Sequence, residues 1–314
     1  MLFRSCIFKL VKKKRQIILS IRIERYANRM FSIHSGDSEQ VLKQFDENTF
    51  HACITDPPYG MGMEHWDHSV PQVTLWQEVY RVLRPGAFCL AFCSPELYHR
   101  LACNVEDAGF TIKDQIMWMT TTKMPKHNRL KPAHEPIVVA QKPYNGSLAA
   151  NFEKWGCGLI DTETTRVPWE KEPPKGWVAS GHKRRTFGKE GKTTGTQEEF
   201  GTKDANPDGR YPSNIIGEVL PEHQKYFYAP RATRKEKGAD NDHPTVKPVD
   251  LMSYLIRIYS PVGSTVLDPF CGSGTTGVAA LSNGRDFVGV EMEPNYVDIS
   301  KKRCEAANVN TLPI

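Results

Sequence analysis

Apolar residues in this chain recur at two spacings, every second residue and every third or fourth, and the switches between them predict where strands give way to helices. Phe31 to His34 alternates and stops at Gly36-Asp37, which predicts a short strand and then a helix over 39–45 that Ser38 caps. Phe50 to Thr55 reads as a buried strand running into Asp56-Pro57-Pro58-Tyr59-Gly60. Two prolines cannot continue a ladder, so this segment is a loop at the strand's carboxyl end. Leu75, Val79, Val82 and Leu83 are spaced for a helix over 73–83, which Pro85-Gly86 ends before a strand over 87–93. Pro95 opens a second helix whose Leu97, Leu101, Val105 and Ala108 form one stripe as far as Gly109. Phe110 to Met119 and Ile137 to Ala140 are further strands, divided by the polar stretch Thr120 to Glu135.

After Pro248 the rhythm resumes. Leu251, Leu255 and Ile258 form a helix face, and Thr265 to Leu267 is a short strand. A Gly-rich loop then leads into a helix over 275–281, a strand over 286–290 ends at Glu291, and a last helix covers 295–307. Strands alternating with helices at both ends of the chain predict an α/β fold with a mostly parallel sheet. Between about Asn145 and Arg234 the chain is rich in Gly, Pro, Thr and charge. Composition alone allows a disordered linker there. Trp155, Trp169, Trp177, Phe187, Phe200, Tyr211, Tyr226, Phe227 and Tyr228 argue instead for an irregular inserted lobe. The expected organisation is a basic arm over 1–29, a first half over 30–144, the lobe over 145–234 and a second half over 235–314.

Composition adds little until it is located along the chain. With 39% hydrophobic and 25% charged residues it is ordinary for a globular protein, and no apolar run reaches the roughly 18 residues of a membrane span. The formal charge of +5 suggests a polyanion partner, but residues 1–30 hold nine Lys/Arg against one acid, Glu24, so the rest of the chain is net negative. A nucleic-acid footprint in the body must therefore be a local patch. The arm itself reads as a basic tail, an organelle presequence or residues upstream of the natural start; Lys12 to Arg15 interrupt its apolar stretch, which argues against a secretory signal. The favoured expectation is that folding begins near Met30-Phe31 and that the arm is not essential. Eight cysteines without a Cys-x-x-Cys pair point to a reducing compartment, so that cytoplasmic localisation is expected, and argue against a structural zinc site; no metal is expected. Cys89 and Cys93 read as buried small hydrophobes, and His65 and His68 as loop residues.

The Gly-rich loop Asp268-Pro269-Phe270-Cys271-Gly272-Ser273-Gly274-Thr275-Thr276 stands between a strand and a helix, where backbone N–H groups approach a ligand. Gly272 and Gly274 lack the Cβ that would block that approach. A nucleotide phosphate loop would end in Gly-Lys-Ser/Thr, which is absent. Gly272-Ser273-Gly274 with Gly277 matches a dinucleotide fingerprint, weakly by itself. Asp268 at the strand end suits the ammonium of an amino acid, and Glu291 at the next strand end suits two ribose hydroxyls. S-adenosylmethionine, with a ribose and an amino acid but no phosphate, fits this set best.

Taken with His243-Pro244-Thr245-Val246-Lys247-Pro248 ahead of it, this loop resembles the cofactor half of the permuted, β-class amino-group DNA methyltransferases, and Asp56-Pro57-Pro58-Tyr59 resembles their catalytic motif. The resemblance spans roughly Met30 to Arg303. It implies a doubly wound, mixed seven-stranded S-adenosylmethionine-dependent methyltransferase fold, circularly permuted, in which Phe31 to His34 supplies a cofactor-side strand from the N-terminus. It places Lys247 and the following helix at the methionine end of the cofactor, and Gly36-Asp37 near its adenine. Asp268, Pro269, Phe270, Gly272, Gly274, Thr275 and Glu291 complete the implied cofactor set.

An exocyclic amine is a poor nucleophile because its lone pair is delocalised, and accepting hydrogen bonds from both its hydrogens frees that pair for attack on a sulfonium methyl. The resemblance makes Asp56 the side-chain acceptor and the Pro57 carbonyl the backbone acceptor, with Pro58 fixing the turn and Tyr59 stacking on a base flipped out of double-stranded DNA. Asp at the first position favours adenine N6; cytosine N4 is the alternative, and an RNA base methyltransferase or an inactive DNA-binding or cofactor-sensing protein stand further off. The lobe is the expected target-recognition element, with Lys183, Arg184 and Arg185 as candidate phosphate contacts or, equally, a solvated loop. The resemblance leaves open a cognate restriction endonuclease as partner, and a monomer or a homodimer.

Overall fold

The computed structural model describes residues 29–62, 67–120, 132–169, 172, 205–217 and 246–309. Their strands form one eight-stranded sheet. In chain order these are β1 (Phe31–Ser35), β2 (Phe50–Thr55), β3 (Leu83–Phe92), β4 (Thr111–Met119), β5 (His134–Gln141), β6 (Ile215–Gly217), β7 (Thr265–Asp268) and β8 (Asp286–Glu291). Across the sheet they run β1-β8-β7-β2-β3-β5-β4-β6. β5 pairs antiparallel with both neighbours and the remaining pairs are parallel. As expected from permutation, the N-terminal β1 pairs with β8 from the far end of the chain, Phe31 opposite Phe287 and Ser35 opposite Glu291. The sheet has eight strands where seven are expected, because the three-residue β6 adds itself beside Met117 to Met119 of β4.

Period-two alternation divides the core between the two faces of this sheet. Phe88, Leu90 and Phe92 of β3 and Ile137 and Val139 of β5 pack on one face with Leu251, Leu255 and Ile256 of α5 (Val249–Tyr259) and Ala279 and Leu281 of α6 (Thr275–Ser282). Ala87, Cys89 and Ala91 of β3 and Val138 and Ala140 of β5 pack on the other. There they meet Leu42 of α1 (Ser38–Leu42), Leu75, Trp76, Val79 and Val82 of α2 (Val73–Val82), and Leu101 and Val105 of α3 (Tyr98–Asp107). Helices on both faces make the fold doubly wound, as expected. Cys89 and Cys93 share one buried face, and the cysteines of the described residues are unpaired. No described helix is long and apolar enough to cross a membrane.

Local differences from the sequence expectation have local causes. The cap of α1 is Asp37, whose carboxylate accepts from Gln40 N–H at 3.1 Å, while Ser38 turns inward and its hydroxyl donates to the Pro269 carbonyl. α2 passes straight into β3, and Pro85-Gly86 lies inside that strand as its register shifts against β2 between Phe50 and Ala52. Helix α4 (Leu148–Trp155), capped by Ser147 and closed by Gly156 at φ +69, falls in the stretch expected to be irregular. The last helix, α7 (Pro294–Val309), joins the termini: the Asn308 side chain bonds the Arg29 N–H and carbonyl at 3.2 and 2.9 Å.

Residues Thr162–Pro212 form a compact unit of their own, narrower than the expected lobe, and 145–161 belong with the main unit. In the smaller unit Val167 and Arg210 exchange two backbone hydrogen bonds of 2.9 Å. Arg166 donates to Glu163 at 3.0 Å and lies 4.3 Å from the Tyr211 ring centroid, and Trp169 Nε1 donates to the Asn206 carbonyl at 2.8 Å. Residues 1–28 of the basic arm, His65 and Lys183, Arg184 and Arg185 lie outside the described residues.

Candidate active site

The two loops singled out by sequence follow neighbouring strands. β2 and β7 are parallel, with Ala52 opposite Val266 and Cys53 opposite Leu267. From β2 the chain turns through α2 to β3 on one side, and from β7 through α6 to β8 on the other. Such a reversal leaves a crevice beyond the carboxyl ends of the strands. Here it is a cavity of about 290 Å³ lined by Asp56, Pro57, Pro58 and Tyr59 from one loop and Asp268, Pro269, Phe270, Gly272 and Thr275 from the other, with Asp37, Lys247 and Glu291 also in its wall.

On the β7 side Asp268 is 2% exposed and accepts the Phe270 N–H at 3.0 Å. Burial pushes its carboxyl up to about 6, against opposing hydrogen bonds that include Thr276 and the Phe270 N–H. Gly272 and Gly274 turn the loop with φ of +50 and +83, and a Cβ on Gly274 would stand 2.8 Å from Ser300 Cβ. Gly274 caps α6 from behind the wall. Arg303 of α7 braces the turn, donating to the Ser273 carbonyl at 2.7 Å and to the Thr275 hydroxyl at 3.2 Å. Glu291 accepts the Gly272 N–H at 2.8 Å and the Glu293 N–H at 2.9 Å, one on each oxygen. The Met292 N–H bonds the same carboxylate, which with about four acceptor sites still has room for a ligand hydroxyl. Burial raises the Glu291 carboxyl as well.

These groups suit S-adenosylmethionine. Asp268 offers a carboxylate of the kind an ammonium needs, Glu291 one of the kind a diol needs, and the side-chain-free Gly272 leaves room for close approach; no lysine stands in the loop for a phosphate.

On the β2 side four side chains meet. The Tyr59 hydroxyl lies 2.7 Å from Asp56 Oδ1 and 3.2 Å from Glu135 Oε2. The Lys247 ammonium pairs with Asp56 Oδ2 and lies 3.8 Å from Glu135 Oε2. It also sits over the rings of Phe92 and Tyr59, 5.1 and 5.5 Å from their centroids. Burial raises the Asp56 carboxyl, and Lys247 holds that rise back. Burial, then the Asp56 and Glu135 charges, keep the Tyr59 phenol well above its ordinary value. Lys247, expected at the methionine end of the cofactor, thus reaches into the Asp56 cluster as well as lining the cavity. The loop beyond Tyr59 is held by Asp67, which accepts the Gly60 and Met61 N–H groups at 2.6 and 3.1 Å.

Glu135, Asp67 and Arg303 carry no signal of their roles in the sequence. Glu135 opens the strand region before Ile137 and looks like the last of a polar stretch; its partners lie 76 and 112 residues away in the chain. Among the described residues no group of three or more His, Cys, Asp and Glu is arranged to hold a metal ion.

Comparison with known proteins places these features. A family model described as DNA methylase matches residues 50–302. The Type II methyltransferase M.BglI of Bacillus subtilis is 26% identical, over 87% of this chain and 85% of that protein. The DNA adenine methyltransferase YhdJ of Escherichia coli is 25% identical, over 90% of this chain and 86% of that one. Among solved structures, the M1.HpyAVI–SAM complex has the same fold with a TM-score of 0.51 at 22% identity, over 88% of this chain and 100% of that one. The cytosine-N4-specific PvuII DNA methyltransferase has it with a TM-score of 0.55 at 17% identity, over 92% and 94%.

Proposed function

Because the chain belongs to the N6/N4 family of S-adenosylmethionine-dependent DNA methyltransferases, we propose that its target is the N6 amine of adenine, at a specific site in double-stranded DNA, with the base turned out of the helix. The observation that carries this reading is the meeting of Asp56-Pro57-Pro58-Tyr59 and the Asp268–Thr275 loop in one cavity at the switch point of the sheet. YhdJ, named as an adenine methyltransferase, supports the choice of base, as does Asp in the first position of the motif.

When bound, S-adenosylmethionine supplies an electrophilic methyl group on its sulfonium. Asp268, Glu291, Asp37, Lys247, Pro269, Phe270, Gly272 and Thr275 are the residues assigned to hold it, and Gly274 turns the loop behind them. Asp56 and the Pro57 carbonyl accept the two hydrogens of the exocyclic amine, so the nitrogen lone pair leaves the ring and points at the methyl group. Pro57 and Pro58 hold that carbonyl in a fixed direction, and Tyr59 offers a ring to the base face. Transfer leaves the amine nitrogen with one proton too many. Asp56, hydrogen-bonded to that nitrogen and with a carboxyl raised by burial, is the base that takes it.

Turning the target base out costs a few kcal/mol of unstacking and unpairing, and recognition of its surroundings is assigned to the inserted lobe with Lys183, Arg184 and Arg185. A cognate restriction endonuclease is the partner this role would have in a bacterial cytoplasm. The test is transfer of labelled methyl from S-adenosylmethionine to mixed-sequence DNA and, in parallel, to structured RNA. Label in DNA is expected; label in RNA alone would overturn the reading.

A further inference from the structure

Each Asp56 oxygen already accepts one donor, the Tyr59 hydroxyl at 2.7 Å and the Lys247 ammonium. An amine arriving from the cavity must share one of those oxygens with its resident donor or displace that donor. Both donors on Asp56 have a second acceptor within reach, and it is the same atom, Glu135 Oε2, at 3.2 Å from the hydroxyl and 3.8 Å from the ammonium. Asp56, Tyr59 and Lys247 line the cavity. Glu135 stands behind them, with its side chain 12% exposed.

We infer that Glu135 is a positioning residue for methyl transfer, the acceptor that takes over Lys247 and the Tyr59 hydroxyl when the target amine binds Asp56. The inference rests on the assignment of Asp56 as the amine acceptor.

The exchange needs little movement and no new charge. A Lys247 head group released from Asp56 moves toward a carboxylate it already faces, and it stays above the faces of Phe92 and Tyr59, where a cation is attracted. The single hydrogen of the phenol rotates from Asp56 to Glu135. Without the second carboxylate, freeing Asp56 would strand a buried ammonium, which is costly. A third charge therefore lets the acceptor be stored as a paired ion and still be available to substrate.

The test is Glu135→Gln with Glu135→Asp as the conservative partner, both in the full chain. Glutamine keeps an acceptor for Tyr59 but cannot pair with Lys247, so Lys247 stays on Asp56. The expected result for Glu135→Gln is a fall in kcat of tenfold or more, with the affinity for S-adenosylmethionine within about twofold of wild type and the melting temperature retained; Glu135→Asp recovers part of the rate. The pH profile separates this from mere structure. The groups facing Asp56 are Lys247, Glu135, Tyr59, Cys93 and Asp268, and the Glu135 charge raises the Asp56 carboxyl. Removing that charge must move the acid limb of kcat to lower pH. Wild-type kcat with an unmoved acid limb in Glu135→Gln would overturn the inference. So would a rate loss matched by an equal loss of cofactor affinity or of fold. A wild-type enzyme that transfers no methyl to DNA would instead overturn the functional reading on which it rests.

Discussion

Protonating Asp268 should weaken the binding of S-adenosylmethionine, by an amount the structure sets. Asp268 is 2% exposed at the tip of β7 and its carboxyl is pushed up to about 6 from the ordinary 3.8, chiefly by burial. Only the ionised form can pair with the cofactor's ammonium. The dissociation constant therefore stays level at pH 7 and above. It rises about twofold at pH 6 and about tenfold at pH 5, as the fraction of carboxylate falls. Glu291 is also raised by burial, but its assigned partners are neutral hydroxyls, which a protonated carboxyl can still bond. The cofactor-free protein behaves in the opposite sense. A folded carboxyl raised above its unfolded value contributes stability at low pH that is lost as pH rises from about 4 through 6, here ~3 kcal/mol. Isothermal titration calorimetry from pH 5 to pH 7 reads the first effect. Asp268→Asn, of the same shape without the charge, should bind about 10- to 100-fold more weakly at pH 7, the worth of a charged hydrogen bond, and should show no pH slope. A level affinity in wild type, or an unchanged slope in Asp268→Asn, would refute the role given to Asp268.

Three further outcomes are expected. Asp56→Ala should slow methyl transfer by at least about 10² while cofactor affinity by calorimetry changes little; equal loss of both would move Asp56 to the cofactor site. Gly274→Ala, at φ +83 and with its Cβ directed at Ser300, should cost on the order of 1–3 kcal/mol in urea unfolding and weaken the cofactor with it. Reversing charge at Lys183, Arg184 and Arg185 should weaken DNA binding and flatten its salt dependence by about 0.9 in log-log slope for each phosphate left without its cation; an unchanged slope would make that run a solvated loop.

Where the chain's own periodicity decides an element, sequence and structure agree closely. The buried run Phe50–Thr55 is β2 to the residue, and the stripe of Leu75, Val79 and Val82 lies fully on one core face. The loops Asp56–Tyr59 and Asp268–Thr275 were legible because proline fixes the backbone and glycine allows conformations closed to other residues wherever they stand. Helix α4 was not legible, since its one buried residue is the polar Asn151, which donates to the Pro85 and Cys157 carbonyls instead of joining an apolar stripe. β6 is three residues long and is a strand only through its pairing with β4. The displaced cap at Ser38 has the same origin: its hydroxyl answers a carbonyl 231 residues away. Glu135 and Arg303 belong to this class too. Each reads as a surface charge in its own segment and acquires its role from groups that the sheet order brings to it.

The central claim is tested most directly by digesting DNA treated with the enzyme and S-adenosylmethionine carrying a deuterated methyl group, and identifying the labelled nucleoside by mass spectrometry. The account predicts labelled N6-methyldeoxyadenosine, lost in Asp56→Ala. Labelled N4-methyldeoxycytidine in its place would contradict it.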